Sequence, residues 1–177
     1  LSMLALSLML WAVRVHGAAV AASTFPDARC DSELSDSPYR LALVNRSYTP
    51  RGSLTCFNFF GVACEQPESQ CCNADLDTLE LPVPLSCRSA IVGLSFTGTE
   101  WGIAWSRAIV LERRQNLRLT GLSLKPASVN GASVCFELAE PCPTMDEFCW
   151  PQNSVCQFAL FNSHPRDCCP IVAGRIP

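Results

Sequence analysis

Twelve cysteines in a chain of 177 residues constrain the fold more than any other feature of this sequence. Their density is several times the average and is typical of chains that fold in an oxidising compartment, where disulfides form and persist. The number is even, as a framework in which every cysteine is bonded requires. The sequence therefore predicts a disulfide framework made from all of them: Cys30, Cys56, Cys64, Cys71, Cys72, Cys87, Cys135, Cys142, Cys149, Cys156, Cys168 and Cys169.

Two tandem pairs, Cys71-Cys72 and Cys168-Cys169, set a further condition on this framework. Adjacent cysteines can bond each other only through a strained small ring, so we expect each pair to reach two different partners. The connectivity itself stays open, because twelve cysteines allow about ten thousand pairings.

Metal binding is the alternative role for so many thiols. A zinc site normally contains a Cys-x-x-Cys motif or a combination of cysteine and histidine. The sequence has no Cys-x-x-Cys, and His164 is the one histidine outside the N-terminal apolar segment. We therefore predict structural disulfides, no metal site and no cofactor.

The N-terminal segment has the pattern of a secretory signal peptide. An almost unbroken apolar run from Leu1 to Val13 is followed by small residues, and Ala19-Val20-Ala21 matches the A-x-A cleavage pattern. We predict a signal peptide over residues 1–21, with cleavage between residues 17 and 23. The remaining residues 22–177 have the length of one ordinary domain.

A membrane anchor is the alternative reading of this apolar run. A bilayer requires about 20 apolar residues, and Arg14 and His16 end the run before that length is reached. We expect no membrane association after cleavage. Because the sequence begins at Leu1, without an initiator methionine or a basic segment, we also expect it to be incomplete at its N-terminus.

The charge distribution argues against a nucleic-acid partner. The formal net charge is −3, and the densest basic spot consists of Arg113-Arg114 and Arg118. Two adjacent arginines without a longer basic stripe are usually a solvated strand end. The sequence therefore predicts no binding to nucleic acid.

Catalysis requires a nucleophile with a base, a tuned carboxylate pair or a metal. Neither Gly-x-Ser-x-Gly nor His-Glu-x-x-His occurs in the sequence. A glycosidase would need two paired carboxylates in a deep cleft, whereas we expect the acidic residues to be solvated: Asp75, Asp77, Glu80, Asp146 and Glu147. The chain is predicted not to be an enzyme.

Short apolar runs interrupted by Pro, Gly, Asn and Ser indicate an all-β domain. The pattern predicts about seven strands in a disulfide-rich β-sandwich or irregular barrel. At most one short helix is expected, over Thr144–Cys149, where Thr144 and Glu147 match a capping box.

Four details of the strand pattern are specific enough to test. Pro82 and Pro84 predict an edge strand or an extended entry segment. Gly121 predicts a β-bulge, because the apolar phase shifts there. Two further apolar faces are predicted, one formed by Val92, Leu94 and Phe96 and one by Trp101, Ile103, Trp105, Ile109 and Leu111.

The order and spacing of the motifs resemble the pherophorin domain over nearly the whole of residues 22–177. The N-terminal half carries Phe25-Pro26, Pro38-Tyr39-Arg40-Leu41, Cys56-Phe57 and Cys71-Cys72. The C-terminal half carries Glu140-Pro141-Cys142, the run from Cys156 to Asn162, and Asp167-Cys168-Cys169-Pro170. Ser32 and Arg166 stand where family members have cysteines, and we hypothesise that those two cysteines pair with each other elsewhere in the family.

The resemblance implies a secreted structural glycoprotein domain of the cell wall or extracellular matrix of volvocine green algae. Its partners would be matrix glycans and other matrix glycoproteins, and self-association is compatible with this role. The alternative is a soluble secreted module, either carbohydrate-binding or an inhibitor-like cysteine-rich domain. A preformed pocket or an exposed aromatic patch would favour that alternative.

Four residues are candidates for modification or glycan contact. Asn45 begins the one N-x-S/T sequon, Asn45-Arg46-Ser47, and is a predicted N-glycosylation site. Trp101 and Trp105 could form an aromatic platform for sugar rings, although their shared phase with Ile109 favours a place in the core. Trp150 is a weaker candidate for the same contact.

Overall fold

The apolar runs form ten β-strands and one short α-helix in a computed structural model that describes residues 25–150 and 155–175. The predicted signal peptide, residues 1–21, lies outside the described residues. The strands are β1 (Tyr39–Thr49), β2 (Gly52–Gly61), β3 (Leu76–Pro84), β4 (Ile91–Phe96), β5 (Thr99–Glu100), β6 (Ala104–Trp105), β7 (Arg114–Leu124), β8 (Ser133–Ala139), β9 (Val155–Phe161) and β10 (Ile171–Arg175), and the helix is α1 (Met145–Phe148).

The strands form two antiparallel five-stranded sheets. Sheet A has the order β1-β2-β8-β4-β5, and sheet B has the order β10-β9-β3-β7-β6. Each sheet ends in edge strands, so neither closes into a barrel. The predicted all-β sandwich is therefore confirmed, and so is the single short helix, in which Thr144 N–H donates to the Glu147 carboxylate at 3.2 Å.

The core lies between the sheets, where alternate side chains of both inner faces meet. Phe57 of β2 contacts Phe158 of β9 edge to face, with 5.0 Å between ring centroids, and this pair crosses from sheet A to sheet B. Leu79 of β3 and Leu117 of β7 are fully buried in the same cluster. Aromatic contacts of this geometry add to the free energy gained from apolar burial.

Both predicted apolar faces differ from the structure. Val92 is 57% exposed, because β4 contains a bulge between Ile91 and Gly93 that shifts the apolar phase. The expected continuous face from Trp101 to Leu111 is also absent: the chain leaves sheet A at β5 and joins sheet B at β6, so one strand cannot contain these residues.

The proline-containing strand β3 is internal rather than an edge strand, since it lies between β9 and β7. However, β9 pairs only with residues Thr78 to Glu80. At Pro82 and Pro84, β7 is the one strand neighbour, so the missing N–H groups are tolerated there. The predicted bulge at Gly121 is confirmed: its φ is +83°, and the register with β3 shifts beside it.

The outer faces of the two sheets differ. The segment from Phe25 to Asp31 covers sheet B: Phe25 packs on Ala159 and Phe161 of β9, and Asp27 contacts β7. On the outer face of sheet A, Val92 of β4 remains exposed. The open face of sheet A is therefore the place to look for a binding surface.

Candidate binding groove and its framework

All twelve cysteines form six disulfides in the structure. The bonded pairs are Cys30–Cys169, Cys56–Cys135, Cys64–Cys72, Cys71–Cys168, Cys87–Cys142 and Cys149–Cys156. Each member of a tandem pair is bonded to a different segment, as two neighbouring cysteines require. The framework thus joins segments that are far apart in sequence, with separations of up to 139 residues.

The two tandem pairs meet in one knot, defined by the Cys30–Cys169, Cys71–Cys168 and Cys64–Cys72 bonds. Backbone hydrogen bonds support it: Asp31 N–H donates to Asp167 O at 2.7 Å, and Cys169 N–H donates to Asp31 O at 2.7 Å. Three separate segments are held together at this point.

Ser32 and Arg166, the two positions at which the resemblance leads us to expect cysteines in other family members, both lie near this knot. The N-terminal segment packs beside Cys168-Cys169, as the hypothesis of a paired loss requires. The register, however, places the Ser32 carbonyl beside Ile171, whose N–H donates to it at 3.3 Å. Arg166 instead lies over the Phe161 ring and binds Glu80. The paired loss of the two cysteines stays a prediction.

Arg114, expected to be a solvated strand end, is completely buried. Its guanidinium makes a two-pronged contact with the Asp27 carboxylate at 2.9 and 3.0 Å, and its Nε donates to Glu112 at 2.6 Å. It lies between the rings of Phe25 and Trp150. Burial lowers the pKa of Arg114. The hydrogen bonds and charges of Asp27 and Glu112 raise it by more, so this pKa lies above its usual value.

Glu80, also expected to be solvated, is only 2% exposed in its side chain. Its Oε1 lies 2.9 Å from Arg118 and 3.1 Å from Arg166, and its Oε2 accepts from Asn116. The Asn116 amide also donates to Asp27 at 3.0 Å. All four oxygens of these two carboxylates thus have partners, and the cluster fixes the N-terminal segment on sheet B.

The three candidate tryptophans do not share one platform. Trp101 follows β5. Its backbone N–H donates to Leu94 O at 2.7 Å, and its ring packs edge-on against the ring of Phe96. Trp105 lies in β6 of sheet B, beneath the guanidinium of Arg88. Trp150 faces Arg114. Of the three, Trp101 alone lines a concave surface on sheet A.

That concave surface is a groove across the outer face of sheet A, which we call the outer groove. Its first section, about 290 Å³, is lined by residues that include Trp101, Ile103, Val92, Glu100 and Glu137. A second section, about 600 Å³, shares Val92 and Glu137 with the first and adds residues of the β1–β2 turn. The two sections therefore form one continuous depression.

A separate cavity of about 610 Å³ lies beyond the β1–β2 turn and is lined by residues that include Tyr48 and Pro143. Tyr48 pairs with Ser53, whose buried side chain donates to Pro143 O at 2.8 Å. Tyr48 therefore lies on the opposite face of sheet A from Glu137. Among the described residues, the outer groove thus contains one aromatic ring, that of Trp101.

Asn45 lies on β1, the edge strand of sheet A, beside a bulge between Leu43 and Asn45. The residue is exposed. Its sequon is therefore accessible on a sheet edge.

Among residues 25–150 and 155–175, no group of three or more His, Cys, Asp or Glu side chains is arranged to hold a metal ion. Within the same ranges, no helix is long and apolar enough to cross a membrane.

Comparison with known proteins yields one family and one related protein. A family model described as Pherophorin matches residues 25–170, which include β1 to β9. The sulfated surface glycoprotein 185 of Volvox carteri is 25% identical over 174 residues, covering 84% of this chain and 36% of the relative. The chain thus spans about a third of the length of this curated relative. No solved structure matches the chain.

Proposed function

Because this chain belongs to the pherophorin family, we propose that it is a secreted structural domain of an algal extracellular matrix. The family match over residues 25–170 is the observation that carries the proposal. The similarity to a surface glycoprotein of a green alga points to the same location. The domain would contact matrix glycans and other matrix glycoproteins, and self-association is compatible with this role.

We propose that the domain acts by contact and assembly rather than by catalysis. The carboxylates of Asp27 and Glu80, although close together, are occupied by Arg114, Arg118, Arg166 and Asn116. A carboxylate in such a cluster is not available to activate water or to protonate a leaving group. This supports a structural role for the acid pair of Asp27 and Glu80.

The processing expected from the sequence fits the proposal. Removal of a signal peptide over residues 1–21 leaves a domain of residues 22–177, whose described part begins at the buried Phe25. A glycan on Asn45 would project from the exposed end of β1. Since an exposed edge strand can pair with another chain, that glycan would also shield the edge of sheet A.

Expression of the epitope-tagged protein in a volvocine alga tests the proposal. We expect the protein in the extracellular matrix fraction, without the signal peptide and with a mass reduced by peptide N-glycosidase. Asn45→Gln should abolish that reduction, whereas Asn58→Gln, outside any sequon, should not. Retention inside the cell would contradict the proposal. Recovery only in the culture medium would favour a soluble secreted module instead.

A further inference from the structure

We propose that the outer groove of sheet A binds an extended, neutral polysaccharide. The proposal rests on the matrix location proposed above and names the glycan chemistry that the domain would contact there. Its basis is the combination of shape, apolar side chains and charged groups in the groove.

The groove has the shape required for a chain rather than for a compact molecule. Its floor follows β8 from Cys135 to Ala139, which are four residue steps of about 3.4 Å each. The two connected sections, of about 290 and 600 Å³, accommodate several linked sugar rings. A compact ligand would fill one section only.

The aromatic and aliphatic side chains suit the apolar faces of pyranose rings. Trp101 is held in one orientation by its edge-on contact with Phe96, at 5.3 Å between centroids, and Val92 lies exposed in the section beside it. Ile103, also exposed, extends the apolar surface of the same section. A preformed apolar surface loses little conformational entropy on binding.

The charged side chains of the outer groove can form hydrogen bonds with the hydroxyl groups of a sugar chain. Arg51, Glu100 and Glu137 line the groove, and none of them forms an ion pair with another described residue. Carboxylates accept hydrogen bonds from hydroxyls, and the guanidinium donates to hydroxyl oxygens. The side chains available in the groove therefore match a ligand with both donors and acceptors along its length.

The same charges select against an anionic polymer. Glu100 and Glu137 both lie in the section that contains Trp101, and Arg51 lines the other section. Sulfate or uronate groups stacked near Trp101 would approach two carboxylates at close range, and like charges repel there. We therefore infer a neutral sugar chain.

Affinity gel electrophoresis of the oxidised, folded protein tests this inference. The probes are two neutral polymers, galactomannan and xyloglucan, and two anionic ones, polygalacturonate and carrageenan. We expect a neutral polymer to retard the protein more than either anionic polymer. Trp101→Ala should weaken binding by about tenfold, which corresponds to about 1.4 kcal/mol.

Val110→Ala is the matched control, because Val110 is 73% exposed and does not line the outer groove. It should leave the retardation unchanged. Glu137→Gln, which keeps the size of an exposed side chain, should raise binding to the anionic polymers. Circular dichroism establishes that each variant is folded.

Three outcomes would overturn the inference: no retardation by a neutral polymer, stronger retardation by an anionic polymer, or equal behaviour of Trp101→Ala and Val110→Ala. None of these would affect recovery of the protein in the matrix fraction. Failure of the polysaccharide site and failure of the matrix location are therefore distinguishable.

Discussion

At the scale of single residues, the guanidinium of Arg114 holds the N-terminal segment on sheet B. It binds the Asp27 carboxylate through two nitrogens and lies between two aromatic rings. The planar fork of arginine is suited to both contacts, whereas the ammonium of lysine is a point charge that cannot make them together. The role of Arg114 in holding the N-terminal segment therefore depends on the planar shape of its guanidinium as well as on its charge.

We predict that Arg114→Lys lowers the free energy of unfolding by about 2 kcal/mol or more, because Asp27 and Glu112 lose their paired donors. Arg113→Lys is the matched control, since Arg113 is the exposed neighbour and should change stability by less than about 0.5 kcal/mol. Urea denaturation followed by tryptophan fluorescence measures both. Equal effects of the two substitutions would contradict the proposed role of Arg114.

Because of Tyr39, we expect the free energy of unfolding to depend on pH in the alkaline range. Burial, and then the negative charge of Asp75, raise the pKa of Tyr39 above its usual value. Its hydroxyl donates to Ala74 O at 2.8 Å and therefore has to stay protonated. Because the pKa is higher in the folded state, the stabilisation is complete below about pH 10 and is lost as the pH rises further.

The corresponding prediction compares the wild type with Tyr39→Phe. At neutral pH the substitution should cost about 1 kcal/mol, the contribution of one hydrogen bond. Above about pH 10, the free energy of unfolding should fall more steeply for the wild type than for the variant. Denaturant titrations at a series of pH values measure the difference, and parallel curves would contradict this role of Tyr39.

At the scale of strands and turns, Gly121 gives a test that depends on backbone conformation alone. Its φ is +83°, and an added Cβ would contact nothing within 4 Å. Gly121→Ala should therefore destabilise the fold by about 1 kcal/mol through backbone strain. Gly102 also has open space around it but no left-handed φ, so Gly102→Ala should be neutral or slightly stabilising. Thermal unfolding distinguishes the two.

Much of the strand structure could be predicted from the sequence, because an apolar residue at every second position reflects burial of one strand face directly. Three features were not predicted: the bulge that exposes Val92, the passage of the chain from sheet A to sheet B between β5 and β6, and the internal position of β3. Each depends on which strands become neighbours. The buried Glu80 and Arg114 escaped prediction for the same reason, since their partners Asp27, Arg118 and Arg166 come from separate segments.

At the scale of the whole molecule, the disulfides should contribute unequally. With Cys71–Cys168 intact, removing Cys30–Cys169 opens a loop of roughly 40 residues and should cost about 4 kcal/mol in the chain-entropy account. Removing Cys64–Cys72, which closes a separation of 8 residues, should cost about 2.5 kcal/mol by the same relation. Double serine variants and calorimetry measure both values, and the reverse order would contradict the entropic account.

The outer groove illustrates why a binding surface is harder to predict than a framework. The number of cysteines, twelve, is enough to predict a disulfide framework. The groove, by contrast, is assembled from the β1–β2 turn, from β4 and β5, and from β8. Trp101 was a candidate from the sequence, but nothing near it in the chain indicated Glu137 or Arg51 as members of the same surface.

The bond between Cys30 and Cys169 also determines how the domain responds to a pulling force. Tension applied to the chain before Cys30 and after Cys169 passes through this covalent bond and bypasses the 139 residues of sequence separation. Only the short flanking segments, including β10, can be peeled away and extended. In a load-bearing network the domain would therefore behave as an inextensible link, and its surface would keep its shape under strain.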